Sequence, residues 1–217
     1  MIELSSDGDV HIITMNAEPN TVQPDFIAAM HKALDDVEAA GAKAIVLTGT
    51  GKSFNIGLDV PVVMGLQGDA AKDFGKNLMH MTRRLLVGPI PVVAALNGHA
   101  FAAGAFLALS CDFRIMREDR GWICISEVDV GVPIGAAMMH ILRSKLPVQT
   151  AAEAALTGKR YAAPDAIAAG LADASAPEAE LLGTAIKYAA VLAAKESGIM
   201  ATLKRQLWDD VAAKVQP

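Results

Sequence analysis

Two short apolar runs, Ala44-Ile45-Val46-Leu47-Thr48 and Pro91-Val92-Val93-Ala94-Ala95-Leu96, do most to limit how this chain can fold. Neither shows the alternation of a strand with one wet face, so each is expected to be a strand buried on both sides. Between them, residues 73–86 read as a helix. Strand, helix and strand in that order form a βαβ crossover with the two strands parallel. Both strands run into glycine-containing segments, Gly49 to Gly57 and Gly98 to Gly104. The crossover places these at the carboxyl ends of neighbouring strands, where α/β proteins bind ligands.

The remaining segments agree with an α/β domain. Ile2-Glu3-Leu4 and Val10 to Met15 flank an Asp7-Gly8 turn and predict a β-hairpin. From Pro24 to Ala40, Phe26, Ile27, Met30, Leu34 and Val37 recur at helical spacing, with Pro24 in the first turn and Gly41 as the stop. A third extended region, Phe113 to Met116 and then Trp122 to Ile125, leads to Ser126-Glu127-Val128-Asp129, and the chain is helical beyond Gly135. With 217 residues and no linker, one domain is expected: residues 1–160 as the core and 161–217 as its helical C-terminal region.

Composition removes several function classes. A net charge of −5 without a Lys/Arg cluster cannot replace the counterions of a phosphate backbone, so no nucleic acid is expected. No apolar stretch reaches about 18 residues, so no membrane span is expected. The start, Met-Ile-Glu-Leu-Ser-Ser, does not read as a secretory signal. Cys111 and Cys124 lie in apolar runs without metal-ligand or CxxC spacing and read as reduced packing thiols, which suits the cytoplasm. His11, His31, His80, His99 and His140 likewise show no metal-ligand spacing, and no GxSxG elbow surrounds Ser53, Ser110 or Ser126.

Three segments can carry chemistry. Gly51-Lys52-Ser53 suggests a phosphate-binding loop, but the glycine such a loop needs five residues earlier is Val46, inside the strand. Asn97-Gly98-His99-Ala100-Phe101-Ala102-Ala103-Gly104 runs from a strand end into a small-residue helix. Its first turn offers unpaired N–H groups to developing negative charge, or its alanines and glycine serve close packing. Glu127 follows an apolar strand, where desolvation would raise its pKa and suit it to accept a proton; an exposed loop glutamate, or a partner for Arg114 or Arg117, is the plainer alternative.

Together, Met15-Asn16, Ser53-Phe54 to Gly57-Leu58-Asp59, Asn97-Gly98-His99-Ala100 through Gly104, Cys111-Asp112-Phe113-Arg114-Ile115, and Ser126-Glu127 to Gly131 resemble the crotonase, or enoyl-CoA hydratase/isomerase, superfamily over nearly the whole chain. The resemblance implies a spiral of ββα units with C-terminal helices that mediate trimers, or dimers of trimers. It implies an acyl-CoA thioester substrate, with coenzyme A as part of the substrate and no separate cofactor. The oxyanion hole then falls on the backbone amides of Leu58 and Ala103, which explains small residues where side chains would obstruct. Thr21, Val22, Phe54, Ile56, Gly57, Asp59, Phe101, Ala102 and Gly104 are implied around the thioester and CoA, with Glu127 as the catalytic acid/base.

The chain departs from the family's hydratases at Phe106, where they carry a second glutamate. Moving a double bond from C3 to C2 needs one carboxylate, so the resemblance points to a Δ3,Δ2-enoyl-CoA isomerase, with a hydratase, a CoA hydrolase or a silent acyl-CoA-binding protein as alternatives. In an extended segment Asp129 would share the face of Glu127 and could join it. His99 is expected beside the acyl pocket as a packed or capping residue, and Met64, Met79 and Met81 suggest an adaptable acyl pocket. The chain ends soon after Ser197 to Lys204, so the last helices of longer members are expected to be short or absent.

Overall fold

The computed structural model describes residues 1–215. The chain opens with β1 (Ile2–Asp7) and β2 (Val10–Met15), paired antiparallel through a turn at Gly8 and Asp9. Gly8 has φ 58°, which glycine reaches without a Cβ penalty. A two-residue strand β3 (Thr21–Val22) leads to α1 (Pro24–Ala39). Next come β4 (Ala44–Gly49), β5 (Ser53–Asn55), β6 (Gly57–Leu58), α2 (Val60–Gly65) and α3 (Gly68–Val87). A second such unit is β7 (Val92–Leu96), β8 (His99–Phe101) and α4 (Ala103–Ser110). A third is β9 (Phe113–Arg117), β10 (Ile123–Cys124), α5 (Glu127–Val130) and α6 (Ala136–Lys145). The chain continues through α7 (Val148–Thr157), α8 (Ala163–Ala168), β11 (Ala174–Ala176), α9 (Glu178–Ala193) and α10 (Ser197–Ala212).

The first strand of each unit joins a six-stranded sheet of order β1-β2-β4-β7-β9-β11, parallel except for the opening hairpin. The second joins a small parallel sheet of order β10-β8-β5. This is the repeated ββα unit expected from the resemblance. The core strands are buried on both faces, as their composition requires. Ile45 and Leu47 of β4 face the cluster holding Phe26, Met30 and Leu85, while Ala44 and Val46 face Leu181, Ala185 and Ala189 of α9. The alanines let α9 lie close to the sheet.

Several expectations change. The predicted helix over 73–86 begins earlier, at Gly68, because its first turn is exposed and carries no apolar repeat. The Trp122 to Ile125 strand shrinks to Ile123–Cys124, and Glu127 starts a helical turn. The C-terminal region is not wholly helical, since β11 completes the large sheet beside β9. The last two helices, α9 and α10, have 16 residues each, and Lys204 of α10 is buried, bonding Asp112 at 2.7 Å and the Ile90 carbonyl at 2.9 Å. Residues 216–217 of the C-terminal region lie outside the described residues. Cys111 and Cys124 are buried free thiols, and burial pushes Cys111 up to about 12. Among the described residues no helix is long and apolar enough to cross a membrane.

Candidate active site

The small sheet positions the chemistry. Its parallel strands β5, β8 and β10 are neighbours, and their carboxyl ends deliver Ile56-Gly57-Leu58, Ala102-Ala103 and Ser126-Glu127 to one edge. The crossover of β4 and β7 is expected to bring two glycine-rich segments together. The structure adds that both fold back as strands first, and that the third segment arrives by the same route.

The two amide loops are in contact. Gly57 has φ 96°, and a methyl built on it would lie 3.1 Å from Ala102 Cβ and from the Phe101 carbonyl, and 3.3 Å from Ala103 N. On Gly104 a methyl would lie only 2.0 Å from the Asn55 carbonyl, so α4 starts directly against β5. Ala102 itself has φ 48°, a conformation that alanine adopts at a cost of order 1–3 kcal/mol. It is held by its N–H donating to the Cys124 carbonyl at 3.0 Å, while its own carbonyl accepts from Ala105 and Phe106 at 2.9 and 3.1 Å. The Ala103 amide, in the first turn of α4, has no partner within the helix.

The loop that carries Leu58 is fixed by the hydrogen bonds of its neighbours. Ile56 N–H donates to the Asn20 carbonyl at 3.2 Å and Asp59 N–H to the Val22 carbonyl at 2.9 Å. Donors three residues apart thus serve carbonyls two residues apart. Gly57 N–H is taken by Asn55 Oδ1 at 2.9 Å, and Leu58 pairs in register with Val22. Asp59 then holds the loop in place: its carboxylate accepts from Thr21 Oγ1 at 3.4 Å and from Val62 N–H at 3.3 Å, capping α2.

Glu127 is half-buried at the start of α5, and its Oε2 is buried without a hydrogen-bond partner. Burial raises its pKa above the ordinary 4.5, against a smaller opposing effect of its own backbone N–H. No other carboxylate among the described residues has a buried oxygen left unpaired. Phe106, one turn into α4, is only 3% exposed and belongs to the core.

Asp129 does not join Glu127. The segment is helical rather than extended, so residues two apart point to different sides. Its carboxylate sits against Gly158, where a methyl would lie 2.5 Å from Oδ2. The ring of Phe101 faces away from the site too, 5.2 Å from that of His99, so Phe101 lies along the amide loop only by its backbone. The His99 ring packs at 4.9 Å against Trp122, tilted by 36°, and its Nδ1 is buried without a partner. Phe54 and Val22 are buried, Thr21 is half-buried and Ile56 is 36% exposed. Met81 is a core residue, Met79 packs on the core and Met64 is 79% exposed on α2, so the three methionines do not line one cavity. Sequence reasoning misses Asn55, which bonds the oxyanion loop; an Asn two residues before a Gly at a strand end is the available signal. Among the described residues no group of three His, Cys, Asp or Glu could hold a metal ion.

The family model described as enoyl-CoA hydratase/isomerase matches residues 6–216. The chain is 31% identical to enoyl-CoA delta isomerase 3 of Arabidopsis thaliana, over 99% of this chain and 95% of that protein. It is 34% identical to a putative enoyl-CoA hydratase of Thermus thermophilus, over 81% of this chain and 71% of that one. Among solved structures, a probable enoyl-CoA hydratase of Mycobacterium tuberculosis superposes with a TM-score of 0.93 at 26% identity, covering 99% of this chain and 91% of that one. Matched over residues 6–216, on a fold of repeated ββα units, the chain belongs to the enoyl-CoA hydratase/isomerase family.

Proposed function

We propose that this protein isomerises 3-enoyl-CoA to 2-enoyl-CoA. The observation that carries the proposal is a single half-buried carboxylate, Glu127, with an unpaired buried oxygen and a raised pKa, while Phe106 fills the core at the position of a second acid. Ionised Glu127 takes a proton from C2 of the thioester. The electron pair moves into the carbonyl, and the dienolate oxygen is held by the N–H groups of Leu58 and Ala103, preorganised donors of the kind that stabilise such charge. The protonated carboxyl then returns the proton at C4, and the double bond re-forms between C2 and C3. No water enters, and one group both removes and delivers the proton.

The substrate backbone would run along Thr21, Val22, Ile56 and Asp59 on one side and Phe101, Ala102 and Gly104 on the other, with Phe54 behind them. Similarity to the Arabidopsis isomerase supports this activity over hydration. So does the turn of Asp129 toward Gly158, which removes the residue a hydratase would recruit. Exposed Ile199, Leu203 and Leu207 follow one another at helical spacing on α10 and support assembly into a trimer. Two buried free thiols suit the reducing cytoplasm.

Glu127→Gln should lower kcat by roughly 10²–10⁴ while leaving acyl-CoA affinity nearly unchanged. Proton exchange at C2 in D₂O should vanish with it. A Glu127→Gln enzyme that isomerises 3-enoyl-CoA at the wild-type rate rules the assignment out, and a wild type that adds water faster than it isomerises makes the protein a hydratase.

A further inference from the structure

The carboxamide of Asn55 lies where the two amide loops meet. Asn55 ends β5 and is fully buried. Its Oδ1 accepts the Gly57 N–H at 2.9 Å, two residues along the chain, which closes an Asx turn. The same residue abuts the other loop. A methyl built on Gly104, the residue after Ala103, would stand 2.0 Å from the Asn55 carbonyl and 2.8 Å from Oδ1.

That bond bears directly on the Leu58 amide. The peptide before it is held through the Gly57 N–H on Asn55, and the peptide after it through the Asp59 N–H on the Val22 carbonyl at 2.9 Å. The joint between the Gly57 and Leu58 amides is glycine at φ 96°, the residue with the widest backbone range. Orientation there has to come from a hydrogen bond, because no Cβ supplies it.

The arrangement has a cost. Asn55 Nδ2 is buried and finds no hydrogen-bond partner among the described residues. An unpaired buried amide donor is unfavourable, and one kept in a native fold calls for a reason. Aspartate would accept the same N–H and leave no donor over, but ionised it would put a buried negative charge in the wall of a hole that receives one. Serine can close a similar turn, more weakly. Asparagine is the neutral acceptor with the reach.

We propose that Asn55 is a positioning residue for the enolate: through the Gly57 N–H it aims the Leu58 amide at the thioester oxygen. Fully buried, it moves no proton. The inference rests on reading Leu58 and Ala103 as the enolate donors, not on where the double bond ends.

The test reads the hole directly. Butyryl-CoA labelled with ¹³C at the thioester carbonyl is bound to each protein, and its C=O stretch is measured by difference infrared spectroscopy. Wild type should shift the stretch to lower frequency. In Asn55→Ala that shift should shrink and kcat should fall roughly 10–100-fold, short of losing a donor outright, with KM within about twofold. Asn55→Ser should recover part of both losses. Asn55→Asp should be slower than Asn55→Ser at alkaline pH, where its carboxyl is ionised. If Asn55→Ala does not fold, Asn55→Ser carries the test at smaller amplitude. An unchanged carbonyl stretch in the variants, even with a lower denaturant midpoint, overturns the proposal, as does a wild type whose bound carbonyl shows no shift. A wild type that adds water instead of moving the double bond ends the isomerase assignment alone, and the carbonyl shift then still supports the role of Asn55.

Discussion

Gly57 and Ala103 bring the two amide loops into contact, since a methyl on Gly57 would stand 3.3 Å from the Ala103 nitrogen with Ala102 Cβ and the Phe101 carbonyl nearer still. The space a thioester oxygen needs is thus bounded by backbone and the small Ala102 methyl. Gly57→Ala adds the methyl and also forces alanine to φ 96°. The strain should cost about 1–3 kcal/mol of stability, read as a lower midpoint in denaturant. Displacing one donor should reduce kcat roughly 10²–10³-fold, the scale of losing one hole hydrogen bond. A Gly57→Ala enzyme with full turnover would show that the Leu58 amide is not a donor.

For Glu127 the sign of the pH dependence follows from its environment. Burial raises its pKa above 4.5, and the base must be ionised to work. Activity, measured as kcat/KM, should therefore fall toward acid with a midpoint above the ordinary glutamate value. Stability moves the opposite way. The native state holds this proton to higher pH than the unfolded chain does, so the group's contribution is full below the unfolded value and is lost as pH rises through the folded one. Glu127→Gln should remove the acid limb and gain stability near neutral pH, checked by denaturant titration across pH.

Much of this fold and site is legible in the residues alone. The β-branched runs at Ala44 and Val92 identify the buried parallel strands because burial on both faces leaves a composition that little else explains. Glycines 57 and 104 mark the amide loops, since only a missing Cβ lets main chains approach that closely. Local geometry set by tertiary contacts is what stays hidden. The loops after β4 and β7 return as strands β5 and β8, too short to show a period. Glu127 and Asp129 look like strand neighbours because two residues cannot reveal whether the period is 2 or 3.6. The Arg160 guanidinium over the Trp122 ring joins segments some 40 residues apart and leaves no local trace.

The position of Asp129 makes a contrasting prediction to that of Glu127. Asp129→Asn should leave kcat within about twofold, because the carboxylate faces Gly158 and not the amide loops. Gly158→Ala should be worse than Asp129→Asn. It places a methyl 2.5 Å from Asp129 Oδ2 and a side chain at φ 60°, at the end of α7 where glycine closes the helix. Thermal unfolding of the two variants, together with turnover, separates the effects. Loss of isomerase activity in Asp129→Asn with an unchanged melting temperature would return Asp129 to the site.

Lys145 should dominate the alkaline stability of the C-terminal region. Its ammonium group lies 4.0 Å above the Trp208 ring of α10 and donates to the Cys111 carbonyl at 3.2 Å, with Arg114, Lys204 and Asp112 around it. Desolvation first, then Arg114 and Lys204, lower its pKa from 10.5 to about 8, while Asp112 and Cys111 oppose them. The unfolded chain therefore keeps this proton where the native state has lost it, and the group makes stability rise with pH from about 8 upward. Below pH 8 the buried charge costs about 3 kcal/mol, at roughly 1.4 kcal/mol for each tenfold change in proton affinity. Cys111 works in the other direction above pH 9, because its thiol is pushed up to about 12 and stays protonated in the native state. The clean window is thus pH 8 to 9, where the wild type should gain stability and Lys145→Met should stay flat. At pH 7 the methionine variant should be at least as stable as the wild type, since it fills the place under Trp208 without a buried charge. Denaturant midpoints at pH 7, 8 and 9 for both proteins decide this, and a Lys145→Met chain that keeps the rise from pH 8 to 9 shows that another group is responsible.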